Sequence, residues 1–336
     1  MNVGSVRCNS GEKKFGELVL AEDPIDNVRI PVGVVCGAKD GPTVCVLAGT
    51  HACEYVGIDT AVRVYKEASP SKLSGNLIVL PVINPVAFKT ITPYANPLDG
   101  LNMAFMFTGN KEGTTTERMA EAILEGAVFK ADYVIDLHGG DLNEIMLSSV
   151  IAGQTGRKEL DDRSMKMARA FGTRYVIVHK PEDSPSTAAK YDYRTTIESR
   201  SAEKGIPGIV GEIGSDGRSP PQDVDYYYGR VVNVLRYLKL MEGHLDLPQE
   251  QTAIGGSLRL RVSRGGIFTP RVKVGDVIKR GATIGRVTDL KGDVIEEISA
   301  PKDCLVTLLF TKHVVVSGQI VVSLSTSIES LPTFEP

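Results

Sequence analysis

Residues 42–54 read PTVCVLAGTHACE, an apolar run from Pro42 to Ala48 that stops at Gly49-Thr50-His51-Ala52-Cys53-Glu54. A short run of consecutive apolar, β-branched positions closed by glycine is the pattern of a strand buried on both faces. The next stretch, Gly57 to Ala68, has helical spacing, and Asn76 to Val82 (NLIVLPV) is a second buried strand. The chain thus opens with a strand–helix–strand unit of the kind that builds open α/β sheets, which place their sites at the carboxyl ends of strands. His51 and Glu54 stand at such an end.

Further along, Tyr133 to Leu137 (YVIDL) follows a helix in which Thr114 or Thr115 can cap and Glu117 occupies the first turn ahead of Met119, Ile123 and Val128. That strand closes on Asp136-Leu137-His138-Gly139-Gly140. Tyr175 to Val178 and Ile206 to Val210 complete a predicted five-strand core, and Lys180 to Tyr193, with two Pro and three acidic residues, reads as a long surface loop. After the helical stretch Val224 to Met241 the texture changes to short, glycine-punctuated strands. The fold class predicted is therefore α/β, a mixed sheet with helices on both faces over residues 1–248, followed by a small all-β unit over 253–336. Val274-Gly275-Asp276-Val277-Ile278-Lys279-Arg280-Gly281 resembles the biotinyl/lipoyl-like barrel-sandwich hammerhead. Lys291 is the one candidate for a modified lysine, but it lacks the Met-Lys-Met context, so the unit reads as structural.

The 336 residues are 42% hydrophobic and 24% charged, an ordinary globular composition. With 38 Lys and Arg against 41 Asp and Glu, the net charge of -3 provides no basic field for nucleic acid or anionic lipid. No apolar run reaches the ~18 residues of a membrane helix, and Met1 to Lys14 carries charges where a signal peptide needs its apolar stretch, so a cytoplasmic protein is expected. Cys8, Cys36, Cys45, Cys53 and Cys304 form no C-x-x-C pair and are read as reduced, buried thiols.

Two His and one Glu at the ends of separate buried strands match the His₂Glu set of catalytic zinc hydrolases, which leaves a fourth position for water. His51, Glu54 and His138 are the predicted ligands for one zinc per chain. Asp136 lies on the same side of its strand as His138 and can accept the other ring N–H. Val210-Gly211-Glu212-Ile213-Gly214 sets a carboxylate at the end of another apolar strand, placed to act as general base. Taken singly, each residue has a plainer reading: a strand-end His satisfied on the surface, or Glu212 as a cap or salt-bridge partner. His179, which ends YVIV, is the competing ligand and ranks second because it lacks an acidic neighbour. Cys53 faces elsewhere on its turn and reads as structural.

The order of motifs, Gly49-Thr50-His51-Ala52-Cys53-Glu54, Asn84-Pro85, Asp99-Gly100-Leu101-Asn102, Asp136-Leu137-His138 and Gly211-Glu212 with a β region behind, resembles the succinylglutamate desuccinylase/aspartoacylase family of the zinc carboxypeptidase superfamily. The resemblance spans nearly the whole chain. It implies that His51, Glu54 and His138 bind zinc, that Glu212 activates the water, and that an acyl group is removed from an amine.

One departure bears on the substrate. Members continue the D-G-x-N stretch with a second Asn and an Arg that hold a carboxylate, whereas Ala104 and Phe105 stand there in this chain. Leaving a buried charge without its partner costs ~3 to 5 kcal/mol. The pocket wall of Phe105, reinforced by Met103, Met106 and Phe107, should prefer an amine portion without a carboxylate at that point, unless a displaced arginine (Arg194, Arg200 or Arg218) restores the clamp. Asn102, Phe105 and Arg218 are the predicted substrate-binding residues. The leading expectation is a zinc-dependent deacylase of a small N-acylated amine or amino-acid derivative. A metallocarboxypeptidase acting on a peptide and a catalytically silent zinc- or ligand-binding protein are the alternatives. Self-association into a homo-oligomer is left open.

Overall fold

The computed structural model of the chain describes residues 1–21, 27–179 and 193–335. The opening unit forms as its composition dictates. The strand Lys39–Ala48 is buried from Thr43 onward, and the helix Tyr55–Glu67 returns along the sheet with Val56, Ile58, Ala61 and Val64 turned inward. Ser74–Leu80 pairs with Lys39–Ala48 in parallel on one side. Tyr133–His138 pairs with it in parallel on the other and is followed, again in parallel, by Gly208–Glu212. The strands ending at Ala48, His138 and Glu212 therefore finish on one edge of the sheet.

The sheet is mixed and extends beyond the five strands expected. An N-terminal hairpin, Lys13–Ala21 and Asn27–Cys36, adds to Ser74–Leu80. Ser149–Gly153, too short for its sequence to show a period, runs antiparallel to Gly208–Glu212 and parallel to Tyr175–His179. Helices cover both faces. Lys158–Phe171 and Pro221–Tyr237 pack on one, with Met167, Phe171, Tyr227 and Val231 in a core shared with Val46 and Ile135. Thr115–Gly126 packs on the other through Met119, Ile123 and Leu124, its start fixed by a capping box of Thr114 and Glu117.

The strand Thr252–Arg261 continues the same sheet: Thr252–Ile254 pair in parallel with Tyr175–Ile177, and its other edge pairs antiparallel with Ile320–Ser330 along its length. The sheet thus crosses the expected boundary between 248 and 253. Beyond it, Phe268, Ile284, Val287, Val306 and Val322 form a third core. Lys291 lies on an exposed turn between the strands Thr283–Thr288 and Val294–Ser299. The loop read over 180–193 lies outside the described residues except for Tyr193, which opens a short 3₁₀ turn, Tyr193–Thr195. Among the described residues no helix is long and apolar enough to cross a membrane.

Candidate active site

The loop that carries His51 is shaped at both ends. Gly49, at φ +70°, turns the chain out of its strand in a conformation that disfavours a side chain. Asn84 caps the helix Pro85–Thr90 by accepting from the Ala87 amide and donates to the Thr50 carbonyl at 3.5 Å. Glu54 occupies the residue before the helix Tyr55–Glu67, where the helix dipole favours a carboxylate.

His138 and Glu212 are registered side by side on adjacent parallel strands, so their side chains leave the same face as Asp136. His51 Nδ1 lies 2.7 Å from Glu54 Oε1, and His138 Nδ1 lies 2.9 Å from Glu54 Oε2. One ligand atom from each of the three residues falls within 4.8 Å of the others. The far ring nitrogens are engaged too: His51 Nε2 with Asn102 Oδ1 at 3.0 Å and His138 Nε2 with Asp136 Oδ2 at 3.3 Å. Asn102 and Asp136 take the hydrogen on each Nε2, so a metal ion could take both Nδ1 atoms; without one, against the effect of burial, the neighbouring carboxylates raise both imidazoles, and a second proton on each Nδ1 faces Glu54. Two imidazole nitrogens and a carboxylate, each histidine oriented by an outer oxygen, make a donor set that could hold a metal ion.

Electrostatics distinguish the two glutamates. Burial alone would raise the Glu54 carboxyl, but His51 and then His138 outweigh it and hold the group at about 2. For Glu212 burial wins: the carboxyl is pushed well above its ordinary range, His138 opposes, and Glu54, Glu144 and Asp136 add to the rise. Burial likewise raises the Cys53 thiol, with Asp141 adding to it. All five cysteines are buried and unpaired.

A cavity of about 300 Å³ opens over His51, His138, Asp136 and Glu212. Ala104 and Phe105 form part of its wall, as the sequence suggested. Met103 and Phe107 do not: both are fully buried in the core beneath the helix Thr115–Gly126, because the 3₁₀ turn Met103–Phe105 sends neighbouring side chains to opposite sides. Asn102 spends its side-chain oxygen on His51 and on the Ala104 amide rather than on the cavity. Arg218 is exposed and outside the cavity, carried away by the turn through Gly214 and Gly217, both at positive φ. Arg200 pairs with Glu203. Arg194 lines a neighbouring cavity of about 460 Å³ that shares Ile151, His179, Tyr193 and Glu198 with the first. His179 stands in that shared wall with its ring against Tyr193, centroids 4.1 Å apart.

Three contributors escaped the sequence reading. Glu198 lines both cavities. Arg259 reaches the cavity from the strand Thr252–Arg261, accompanied by Ile254, Gly255, Thr307 and Ser323 of the C-terminal region. Tyr227, fully buried, contacts the His138 and Gly211 carbonyls through its hydroxyl at 3.1 and 2.7 Å. None carries a local sequence signal, since each is brought to the site by pairing between distant segments.

Known proteins are similar to this chain in sequence and fold. The chain is 27% identical over 267 residues to the N-alpha-acetyl-L-2,4-diaminobutyric acid deacetylase of Halomonas elongata, a match covering 78% of this chain and 75% of the relative. The solved succinylglutamate desuccinylase/aspartoacylase of Rhodobacter sphaeroides superposes with a TM-score of 0.84 at 22% identity, covering 97% of this chain and 99% of that one. The product-bound ectoine utilization protein EutE of Ruegeria pomeroyi gives 0.85 at 21%, covering 96% and 98%. At these identities the two solved structures establish the fold. The profile of the succinylglutamate desuccinylase/aspartoacylase catalytic domain matches residues 40–238, the span that holds His51, Glu54, His138 and Glu212, and the chain belongs to that family.

Proposed function

We propose that the protein is a zinc-dependent hydrolase that removes the acyl group from a small N-acylated amino-acid derivative, with one zinc per chain held by His51, Glu54 and His138. The observation that carries this reading is the convergence of two imidazole nitrogens and the Glu54 carboxylate beside a cavity lined by His51, His138 and a second carboxylate, Glu212, whose carboxyl burial raises. Zinc bound there supplies a Lewis acid for the acyl oxygen and lowers the pKa of a water from ~15.7 to about 7.

The chain's own residues account for the rest. Asn102 and Asp136 fix the two histidine rings. Glu212 takes a proton from the attacking water and returns it to the nitrogen of the departing amine as the C–N bond breaks; its raised affinity for that proton suits both halves of the transfer. The cavity, at the lower end of the ~300 to 1,000 Å³ of small-molecule sites, favours a compact substrate over a peptide. A relative named for deacetylating an acetylated diamino acid supports the same bond type, and Glu198 offers a carboxylate to a second amino group of such a substrate.

The test combines metal analysis with a panel of N-acetylated and N-succinylated amino acids and short peptides. Wild type should contain about one zinc and hydrolyse small acyl amino acids, and Glu212→Gln should keep its zinc while kcat falls ~10² to 10⁴-fold. His138→Ala should lose the metal. Wild-type zinc content in His138→Ala, or full turnover in Glu212→Gln, rejects the assignment.

A further inference from the structure

Phe105 stands where the carboxylate-holding arginine was expected, and its ring packs edge-on against Tyr193, centroids 5.6 Å apart. Tyr193 is wedged on another side by His179. Its hydroxyl accepts a hydrogen bond of 2.8 Å from Arg259 Nη2. Arg259 is the one Lys or Arg among the described residues that line the cavity over His51, His138 and Glu212. We propose that Arg259 replaces the missing clamp and receives the carboxylate of the substrate, which makes it the specificity-determining residue of the site.

The replacement has a definite logic. The aromatic pair Phe105 and Tyr193 substitutes for the lost side chain not in charge but in placement: it anchors the hydroxyl that holds one Nη of Arg259, and the guanidinium fork has further N–H donors to offer a carboxylate in the bidentate manner. Asp136, Glu198 and Glu212 also line the cavity, and none of them offers a cationic partner to such an anion. A substrate with one carboxylate is therefore oriented by charge, its anionic end at Arg259 and its acyl amide over the histidines. Ala104 and Phe105 line the cavity, and the anion is held beside the Phe105–Tyr193 pair by a strand of the C-terminal region.

This inference rests on the proposed deacylation, and its test separates the two. Two N-acetylated substrates are compared, one with a free α-carboxylate and one with that group amidated, in wild type, Arg259→Ala and Arg259→Lys, each zinc-loaded. Arg259→Ala should raise KM for the free acid roughly 10- to 100-fold and leave kcat/KM for the amide within about twofold. Arg259→Lys, which keeps the charge without the fork, should recover only part of the loss. Equal effects on acid and amide, or none on either, overturn the role of Arg259. If wild type hydrolyses neither substrate, the deacylase reading has failed, and calorimetric binding of a free amino acid decides the clamp independently: weakening of the same size in Arg259→Ala supports it, and unchanged binding overturns it. Arg259 is exposed, so its substitution should leave Tm unchanged and report on the site alone.

Discussion

Glu54, set between His51 and His138, and Glu198, in the cavity wall, are the same residue type, and their neighbours drive them apart. Two histidines hold Glu54 at about 2, whereas burial, with Asp136 next in size, lifts Glu198 from 4.5 to about 6. A carboxyl whose folded pKa is raised binds more protons folded than unfolded between those values, so its ionisation costs stability as pH climbs through that window. The cost is absent below about 4.5 and complete above about 6, at up to ~2 kcal/mol from ~1.36 per unit. Glu198→Gln is accordingly expected to stabilise the metal-free protein by as much as that at pH 8 and by almost nothing at pH 4. Urea melts at the two pH values check it, and an equal effect at both would remove the titration as the cause. If Glu198 also receives a substrate amino group, the same variant should raise KM for substrates that carry one.

The helix Pro221–Tyr237 does for the strand ends what no strand does for itself. Its Tyr227 hydroxyl sits between the His138 and Gly211 carbonyls, tying together the two strands that present His138 and Glu212. Gly211 is required by that contact, because a Cβ there would lie 2.6 Å from the Tyr227 oxygen. Tyr227→Phe removes the hydroxyl donor from the Gly211 and His138 carbonyls, of which the second keeps the Ile213 amide, and should cost about 1 to 3 kcal/mol in a urea melt. If Glu212 is the base as proposed, it should also lower kcat more than it changes KM, since the spacing of Glu212 relative to the histidines shifts while the outer wall does not. An unchanged kcat in a destabilised variant would confine Tyr227 to a structural role. The strand ends themselves were legible: an apolar run stopped by glycine reports its own burial, and the polar residue after it is at the sheet edge. The helix capped by Thr114 was legible for the same reason, its signal being local. Ser149–Gly153 and the contribution of Arg259 were not, because Arg259 enters the site only through the pairing of Tyr175–Ile177 with Thr252–Ile254 and no periodicity spans that distance. Met103 and Phe107 misled for a related reason: hydrophobicity says that a side chain is buried but not on which side of a turn.

At the scale of the whole molecule the C-terminal region is continuous with the sheet that carries His51, His138 and Glu212 and supplies part of its cavity. A chain ended after residue 248 would bare the edge of Tyr175–His179 and lose the wall formed by Ile254, Arg259 and Thr307. Such a piece is expected to aggregate or to be inactive, and the full chain to unfold in one calorimetric transition. A soluble 1–248 fragment with wild-type kcat/KM would show that the shared strand is dispensable. That strand also settles how the site exchanges its contents. Thr252–Arg261 is tied on one edge to Tyr175–Ile177 and on the other to Ile320–Ser330, so it behaves as a beam and not as a hinge, and the two regions cannot swing apart without tearing backbone hydrogen bonds. Among the described residues that line the cavity, Arg259 is an exposed side chain, and exposed side chains reorient in picoseconds to nanoseconds. If Arg259 holds the substrate carboxylate as proposed, release of the product is expected to follow how long the guanidinium keeps its anion and not a swing of the C-terminal region.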